Sequence, residues 1–219
     1  MRPCRVRPVF PFSHRLQNMR TLIVIPIVHT EQDMGSLHGQ TKLDYVKKFG
    51  QAKWIRHLQS IDDVWTGIRK IIQALHLPYA SVRLYQDGLP ICGKEEQIVQ
   101  DVAAQGSKNY QLLVEFIGLG SRLMGTEDPQ LLLQEYRFHQ EAGRDADAEH
   151  SAQRVRQSRQ LLIERDRFIA NRINATLLAD EVGLLFLGLA HSVESLLDAD
   201  ILVRQLLPSL REKQVLSAS

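Results

Sequence analysis

The sequence predicts a helix-rich α/β protein with a small, mostly parallel sheet that is flanked by helices on both faces. Two short apolar runs, at residues 22–28 and 182–187, have the composition of buried strands, and residues 81–85 are predicted to form another short strand. Segments with helical spacing separate these runs, and this alternation favours crossover connections within a parallel sheet. We also consider a further strand within residues 117–124.

The spacing of apolar side chains predicts helices over most of the remaining chain. Ser60 is a good N-cap, so residues 43–75 are predicted to form two consecutive helices that divide there. Pro129 suits the first turn of a helix. The other predicted helices cover residues 95–105, 109–118, 161–178 and 201–206. The charge-dense stretch 143–158 is predicted to be a solvated helix or a link.

The chain divides into a basic N-terminal extension at 1–18, a single α/β domain at 19–212 and a C-terminal tail at 213–219. The extension and the two residues after it carry five arginines and no acidic residue. Met19 stands directly before the first apolar run, so we interpret residues 1–18 as either an upstream extension or a disordered tail. A length of 219 residues is enough to bury a sizeable core.

Composition weighs against several classes of protein. The formal net charge of +2 comes from the N-terminal arginines, so overall charge does not predict nucleic-acid binding. No apolar run approaches the roughly 20 residues that span a bilayer. Cys4 and Cys92 form neither a disulfide framework nor a zinc-ligand spacing. We therefore expect a cytoplasmic protein without a membrane span.

Polar residues follow each predicted strand, and they suggest a functional site. In open parallel sheets, ligands bind beyond the carboxyl ends of the strands. If the three strands are neighbours, their polar ends would converge on one edge. These residues are His29, Glu31 and Asp33 after the first strand, Gln86 and Asp87 after the second, and His191, Ser192 and Glu194 after the third.

This convergence predicts either a metal site or metal-free acid–base chemistry. His29, Asp33 and His191 are candidate ligands of a divalent transition metal, because imidazole and carboxylate suit zinc, iron, cobalt or manganese. Without a metal, His29 or His191 would act as a general base toward water and a carboxylate would orient it. In either case Glu31 and Asp33 would assist as ligand or base. The alternative is ordinary loop chemistry, since such residues often cap helices and close turns.

Arg165 and Asp166 interrupt or border the apolar stripe of a predicted helix. Buried charges are costly unless they are paired. We predict that both residues orient the site, with Arg165 clamping an anion or a carboxylate. The alternative is a structural ion pair, with Glu135 or Asp180 as the partner. Glu127 could join the site, but its position just before Pro129 favours a role at the start of a helix.

Three short motifs give the chain a resemblance to a superfamily. They are Pro26-Ile27-Val28-His29, the segment Arg165-Asp166-Arg167-Phe168-Ile169-Ala170, and Gly188-Leu189-Ala190-His191. Their order resembles that in TraB/PrgY proteins, Tiki proteases, ChaN-like proteins and erythromycin esterases. The sequence departs from that pattern at Pro26, where glycine is expected, at Ile169, where methionine is expected, and near residues 83–87, which lack the expected glutamate.

The resemblance implies an α/β fold and a site at the histidine motifs more than it implies one activity. Members of the superfamily carry out metal-dependent peptide cleavage, ester hydrolysis or haem binding. From these observations we expect a hydrolase-like or metal-binding protein that acts on a small molecule or a peptide. The catalytic set would be His29, Glu31, Arg165, Asp166 and His191.

Two other functions stay open. The chain could be a non-catalytic binding or assembly module, including a homo-oligomer, if helices around Trp65 expose an apolar face. Burial of Trp65, Ile71 and Ile72 within one chain would count against this hypothesis. The chain could also be an inactive relative that keeps the superfamily's fold, which the missing glycine and glutamate would explain.

Overall fold

The computed structural model describes residues 19–27, 47, 51–142 and 148–207 as an α/β fold built on a five-stranded parallel sheet. The strands are β1 (Arg20–Ile27), β2 (Val82–Gln86), β3 (Arg122–Met124), β4 (Val182–Gly188) and β5 (Ile201–Gln205). Their order across the sheet is β3-β2-β4-β1-β5. The predicted fold class is confirmed, and the further strand considered within residues 117–124 is β3.

Five α-helices connect the described strands. They are α1 (Gln51–Ala74), α2 (Glu95–Ala104), α3 (Lys108–Gly118), α4 (Pro129–Ala142) and α5 (Ala148–Thr176). The predicted break at Ser60 is wrong, because α1 continues through that residue. Ile61, Trp65 and Ile68 keep helical spacing and are buried in the core. Their burial outweighs the roughly 1 kcal/mol preference of serine for a cap.

The predicted helix at 201–206 is also wrong, because residues 201–205 form the edge strand β5. This strand pairs in parallel with β1, with Ile201 opposite Arg20. The Arg20 guanidinium lies 2.8 Å from Asp198 and 2.6 Å from Asp200, which fixes the segment beside the start of β1. Five residues make less than two helical turns, so pairing with an existing strand gives this segment more backbone hydrogen bonds.

Helices cover both faces of the sheet. On one face, alternate side chains of β1, β2 and β4 pack with α1, α2 and α3, and the fully buried members include Ile25, Leu84 and Phe186. On the other face, residues such as Val24 and Leu185 pack against α5. This period of two, with both sides apolar, is why β1 and β4 contain continuous apolar runs in the sequence.

The sheet topology places a crevice between β2 and β4. These strands are parallel neighbours, with Gln86 opposite Phe186. After β2 the chain continues to β3, at one lateral edge of the sheet. After β4 it continues to β5, at the opposite lateral edge. Connections that diverge in this way leave a gap at the carboxyl ends of the strands, where open α/β sheets bind ligands. The carboxyl ends of β2 and β4 are therefore the expected position of a site.

The structure describes the apolar face predicted around Trp65 and most of the charged stretch 143–158. Trp65 and Ile72 are buried in the core, whereas Ile71 is 38% exposed. The burial of the first two removes most of the apolar face that the assembly hypothesis required. Residues 148–158 of the charged stretch belong to α5, while residues 143–147 lie outside the described ranges. No helix among the described residues is long and apolar enough to cross a membrane.

Candidate functional site

Asp87 is the first residue after β2, and the backbone around it fixes its carboxylate at the crevice. Its N–H donates to the carbonyl of Phe186 at 2.9 Å, which extends the pairing with β4 by one residue. Its Oδ2 accepts from the N–H of Gly188 at 2.9 Å. Gly88 then turns the chain with a φ of 77°, a conformation in which glycine avoids the steric cost of a side chain. Asp87 is 8% exposed, so this carboxylate is buried between the two strand ends.

Glu127 reaches the same place from the segment between β3 and α4. The residue is fully buried, and its Oε1 accepts from the N–H of Gly88 at 2.8 Å. The favoured prediction, that Glu127 serves the start of a helix, is wrong. Asp128 performs that task, because its Oδ1 accepts from the N–H of Gln130 at 2.6 Å. Glu127 instead points into the crevice, because its own N–H donates to the carbonyl of Leu89.

Arg165 lies on α5 and is surrounded by three carboxylates. Its Nε and Nη2 donate to both oxygens of Glu127, at 2.6 and 2.5 Å. Nη2 also donates to Asp87 Oδ1 at 2.7 Å, and Nη1 donates to Glu135 Oε1 at 2.6 Å. The bidentate pairing with Glu127 uses the planar fork of the guanidinium, which is the strongest geometry for such a pair. Arg165 thus clamps carboxylates of its own chain.

His191 is held by Asp166, the residue after Arg165. Its Nδ1 lies 2.6 Å from Asp166 Oδ1, and the other oxygen of that carboxylate accepts from the N–H of Ser192 at 3.0 Å. This contact keeps a proton on Nδ1 and turns Nε2 toward Asp87, whose Oδ2 is 3.4 Å away. A carboxylate bonded to the far nitrogen of a histidine is also the usual support of a metal-ligating histidine.

The charges of the site perturb each other strongly. Burial alone would lower the pKa of His191, but the hydrogen bonds that its ring donates to Asp166 and Asp87 outweigh burial and raise that pKa to about 9. Burial alone would raise the pKa of Asp87. Contact with His191 and the charge of Arg165 outweigh burial and hold that pKa far below its usual range. Burial raises the pKa of Glu127, and Arg165 opposes this rise. Such perturbed groups in a crevice mark a candidate functional site.

Asp87, Glu127 and His191 could hold a metal ion, because one ligand atom from each lies within 4.8 Å of the other two. The 3.4 Å between Asp87 Oδ2 and His191 Nε2 is informative. Two ligands of a tetrahedral ion with bonds of about 2.1 Å lie about 3.4 Å apart. The donor set of one imidazole and two carboxylates suits zinc, manganese, iron or cobalt. Both Glu127 oxygens contact Arg165, so Asp87 and His191 form the better prepared pair.

A cavity of about 430 Å³ opens beside these groups. Its lining includes Asp87, Arg165 and His191, together with Asn109 and Tyr110 from the first turn of α3. The size falls within the usual range for small-molecule sites. The polar cluster is therefore next to a space that a ligand could occupy.

Six residues are predicted to be catalytic or metal-ligating, and the structure brings together three of them: Arg165, Asp166 and His191. The other three, His29, Glu31 and Asp33, lie outside the described residues, so their predicted roles stay predictions. β1 ends at Ile27, which is paired with Gly188 at the same edge of the sheet. Of the two ion-pair partners considered for Arg165, Glu135 is a partner, and Glu127 and Asp87 are added to it.

Asp87 and Glu127 are the residues that the sequence prediction undervalued. Asp87 carried a usable signal, because it follows its strand directly, as the histidine motif follows β4. Glu127 carried no such signal, because a threonine, an acid and Asp128 before proline also describe an ordinary helix start. Only the fold shows that its side chain is buried beside Arg165.

Comparison with known proteins adds no name to this geometry. No family model, no curated protein and no solved structure matches the chain.

Proposed function

We propose that this protein is a metal-dependent hydrolase whose metal is held by His191 Nε2 and Asp87 Oδ2, with Glu127 as the third ligand. The observation that carries the proposal is the 3.4 Å separation of the first two atoms, together with the Asp166 carboxylate behind His191. A site that had only a structural ion pair to maintain would not need a histidine oriented in this way.

Each residue of the cluster then has a definite task. Asp166 fixes the orientation of His191 and makes its imidazole a stronger ligand. Arg165 neutralises part of the carboxylate charge and holds Asp87 and Glu127 in the crevice. When bound, the metal would supply a Lewis acid that lowers the pKa of a water molecule to about 7. The adjacent cavity would hold the substrate against the crevice.

Kinship with the TraB/PrgY, Tiki, ChaN-like and erythromycin-esterase superfamily is part of this proposal. The contact between Asp166 and His191 joins two of the motifs that carry the resemblance. Asp87, directly after β2, supplies a carboxylate in the region where that superfamily has a glutamate. This supports an active relative over an inactive one, because the expected acidic group has a replacement at the sheet edge.

The proposal is tested by measuring hydrolysis and metal content together. Purified protein is stripped with a chelator, reloaded with Zn²⁺, Mn²⁺ or Co²⁺, and assayed on p-nitrophenyl esters and a fluorogenic peptide library. We expect hydrolysis that needs added metal and that disappears in His191→Gln. The matched control is His76→Asn, an exposed histidine with a φ of 50° that asparagine tolerates. Equal hydrolysis by His191→Gln and His76→Asn would refute the proposal.

A second candidate function is hydrolysis without a metal. It is favoured by the chain of contacts from Asp166 through His191 to Asp87. With a pKa of about 9, His191 is protonated at neutral pH and would serve as a general acid. The two functions separate cleanly, because activity that survives chelation and still needs His191 would favour the metal-free mechanism.

A further inference from the structure

We propose that the cavity beside Asp87 and His191 binds the ammonium group of a small amine that also has an apolar part. The inference rests on the proposed function for its location, since the amine would lie beside the candidate metal centre. Separate observations support the class of ligand: Arg165 has little donor capacity left, hydrogen-bond acceptors remain, and the charge balance of the metal-free site is negative.

The strongest cation at the cavity has little capacity left for an anion. Arg165 makes four contacts of 2.5 to 2.7 Å with the carboxylates around it. A guanidinium has five N–H donors, so only one remains. A ligand carboxylate or phosphate would have to displace groups that already pair in a bidentate geometry. This argues against an anionic ligand.

Hydrogen-bond acceptors, in contrast, remain on the cavity wall. Asn109 is 1% exposed, and its Nδ2 donates to Gln86 Oε1 at 3.0 Å. Its Oδ1 is buried and has no hydrogen-bond partner among the described residues. Glu135 contacts Arg165 through Oε1, and its side chain is 32% exposed at the same wall. A ligand N–H would satisfy acceptors that the protein leaves unpaired.

Without a bound metal, the charges of the site sum to a negative value. Two cationic side chains, Arg165 and His191, face four carboxylates. The N-terminus of α3 adds roughly half a positive charge from its dipole. This total offsets fewer than three of the four negative charges, so the cavity favours a cation over a neutral group. The four carboxylates belong to Asp87, Glu127, Glu135 and Asp166.

The remaining wall of the cavity is apolar. Leu132 of α4, Leu162 of α5 and Leu189 after β4 all line the space of about 430 Å³. An amine with an aromatic or aliphatic body would place its ammonium among the acceptors and its body against these leucines. A small, fully polar cation would leave this apolar surface unused.

The test compares three probes of the same size: benzylamine, benzyl alcohol and benzoate. Binding is measured by protein-observed NMR titration at pH 7.5, in a chelator so that no metal can bind the amine. We expect benzylamine to bind about tenfold more tightly than benzyl alcohol, with benzoate weakest. Benzoate or benzyl alcohol binding as tightly as benzylamine would overturn the proposal.

Glu135→Gln removes one negative charge and keeps the shape of the side chain. We expect it to reduce the preference for benzylamine over benzyl alcohol about fivefold, with circular dichroism confirming the fold. Glu96→Gln is the control, because Glu96 is exposed and does not line this cavity. An unchanged preference in Glu135→Gln would contradict the assignment.

The outcome is distinguishable from failure of the proposed function. Benzylamine selectivity without Zn²⁺ binding would uphold the amine site and refute the metal centre. Zn²⁺ binding without benzylamine selectivity would refute the amine site alone.

Discussion

Replacement of Arg165 by methionine should destabilise the fold strongly, because Arg165 is the principal counter-charge of two buried carboxylates. The side chains of Arg165, Asp87 and Glu127 are 6%, 7% and 0% exposed. Removal of one partner from a buried pair costs about 3–5 kcal/mol. For a domain of this size, each kcal/mol lowers the melting temperature by roughly 2–4 °C. Arg165→Met should therefore melt about 6–20 °C below the parent protein.

The control for this prediction is Arg69→Met. Arg69 pairs with Glu115 at 3.0 Å, but its side chain is 46% exposed, so its loss should cost at most about 1 kcal/mol. The assay is urea unfolding of both variants at pH 8 and pH 5.5. Burial already raises the pKa of Glu127, and loss of Arg165 would raise that pKa further above its unfolded value, so the stability lost in Arg165→Met should be smaller at pH 5.5 than at pH 8. Equal destabilisation by the two variants would refute the reasoning.

Three further predictions concern the metal and the packing. Zn²⁺ must displace a proton from His191, because the pKa of that residue is raised to about 9. The apparent affinity for Zn²⁺ should therefore rise about tenfold per pH unit between pH 7 and 8.5. An affinity that titration calorimetry finds independent of pH would contradict this prediction. Asp166→Asn should weaken Zn²⁺ binding by about 10–100-fold without abolishing it, measured by chelator competition. Gly125→Ala should cost about 1–3 kcal/mol, because its Cβ would lie 2.9 Å from the Cα of Ile91, whereas Gly67→Ala on α1 has open space and should not destabilise; thermal unfolding compares them.

The sequence predicts the sheet well because its strands are buried on both faces. β1 and β4 contain continuous apolar runs, a composition that suits a strand with helices on each side, whereas β2 carries Arg83 and Gln86 among its apolar residues. The helix predicted at 201–206 fails for a physical reason. Its apolar residues fit either a helix or a strand, and the choice depends on pairing with β1, whose partner residues lie 181 positions earlier in the sequence.

The site was predictable to the extent that strand ends mark it. His191 follows β4, and Arg165 and Asp166 interrupt an apolar stripe of α5, so each carries a local signal. Among the partners of Arg165, Asp87 carries the same strand-end signal. Glu127 and Glu135 carry none, because they lie 38 and 30 residues from Arg165 and meet it only in the folded chain. Local patterns thus locate the histidine and the arginine, while the fold selects the carboxylates that surround them.

Zn²⁺ titration of the metal-stripped protein at pH 8, followed by calorimetry, tests the central claim most directly. The account predicts one equivalent of Zn²⁺ per chain and at least a hundredfold loss of affinity in Asp87→Asn, with His76→Asn binding as the parent does. Absence of saturable binding, or equal affinity in Asp87→Asn and His76→Asn, would contradict the metal centre.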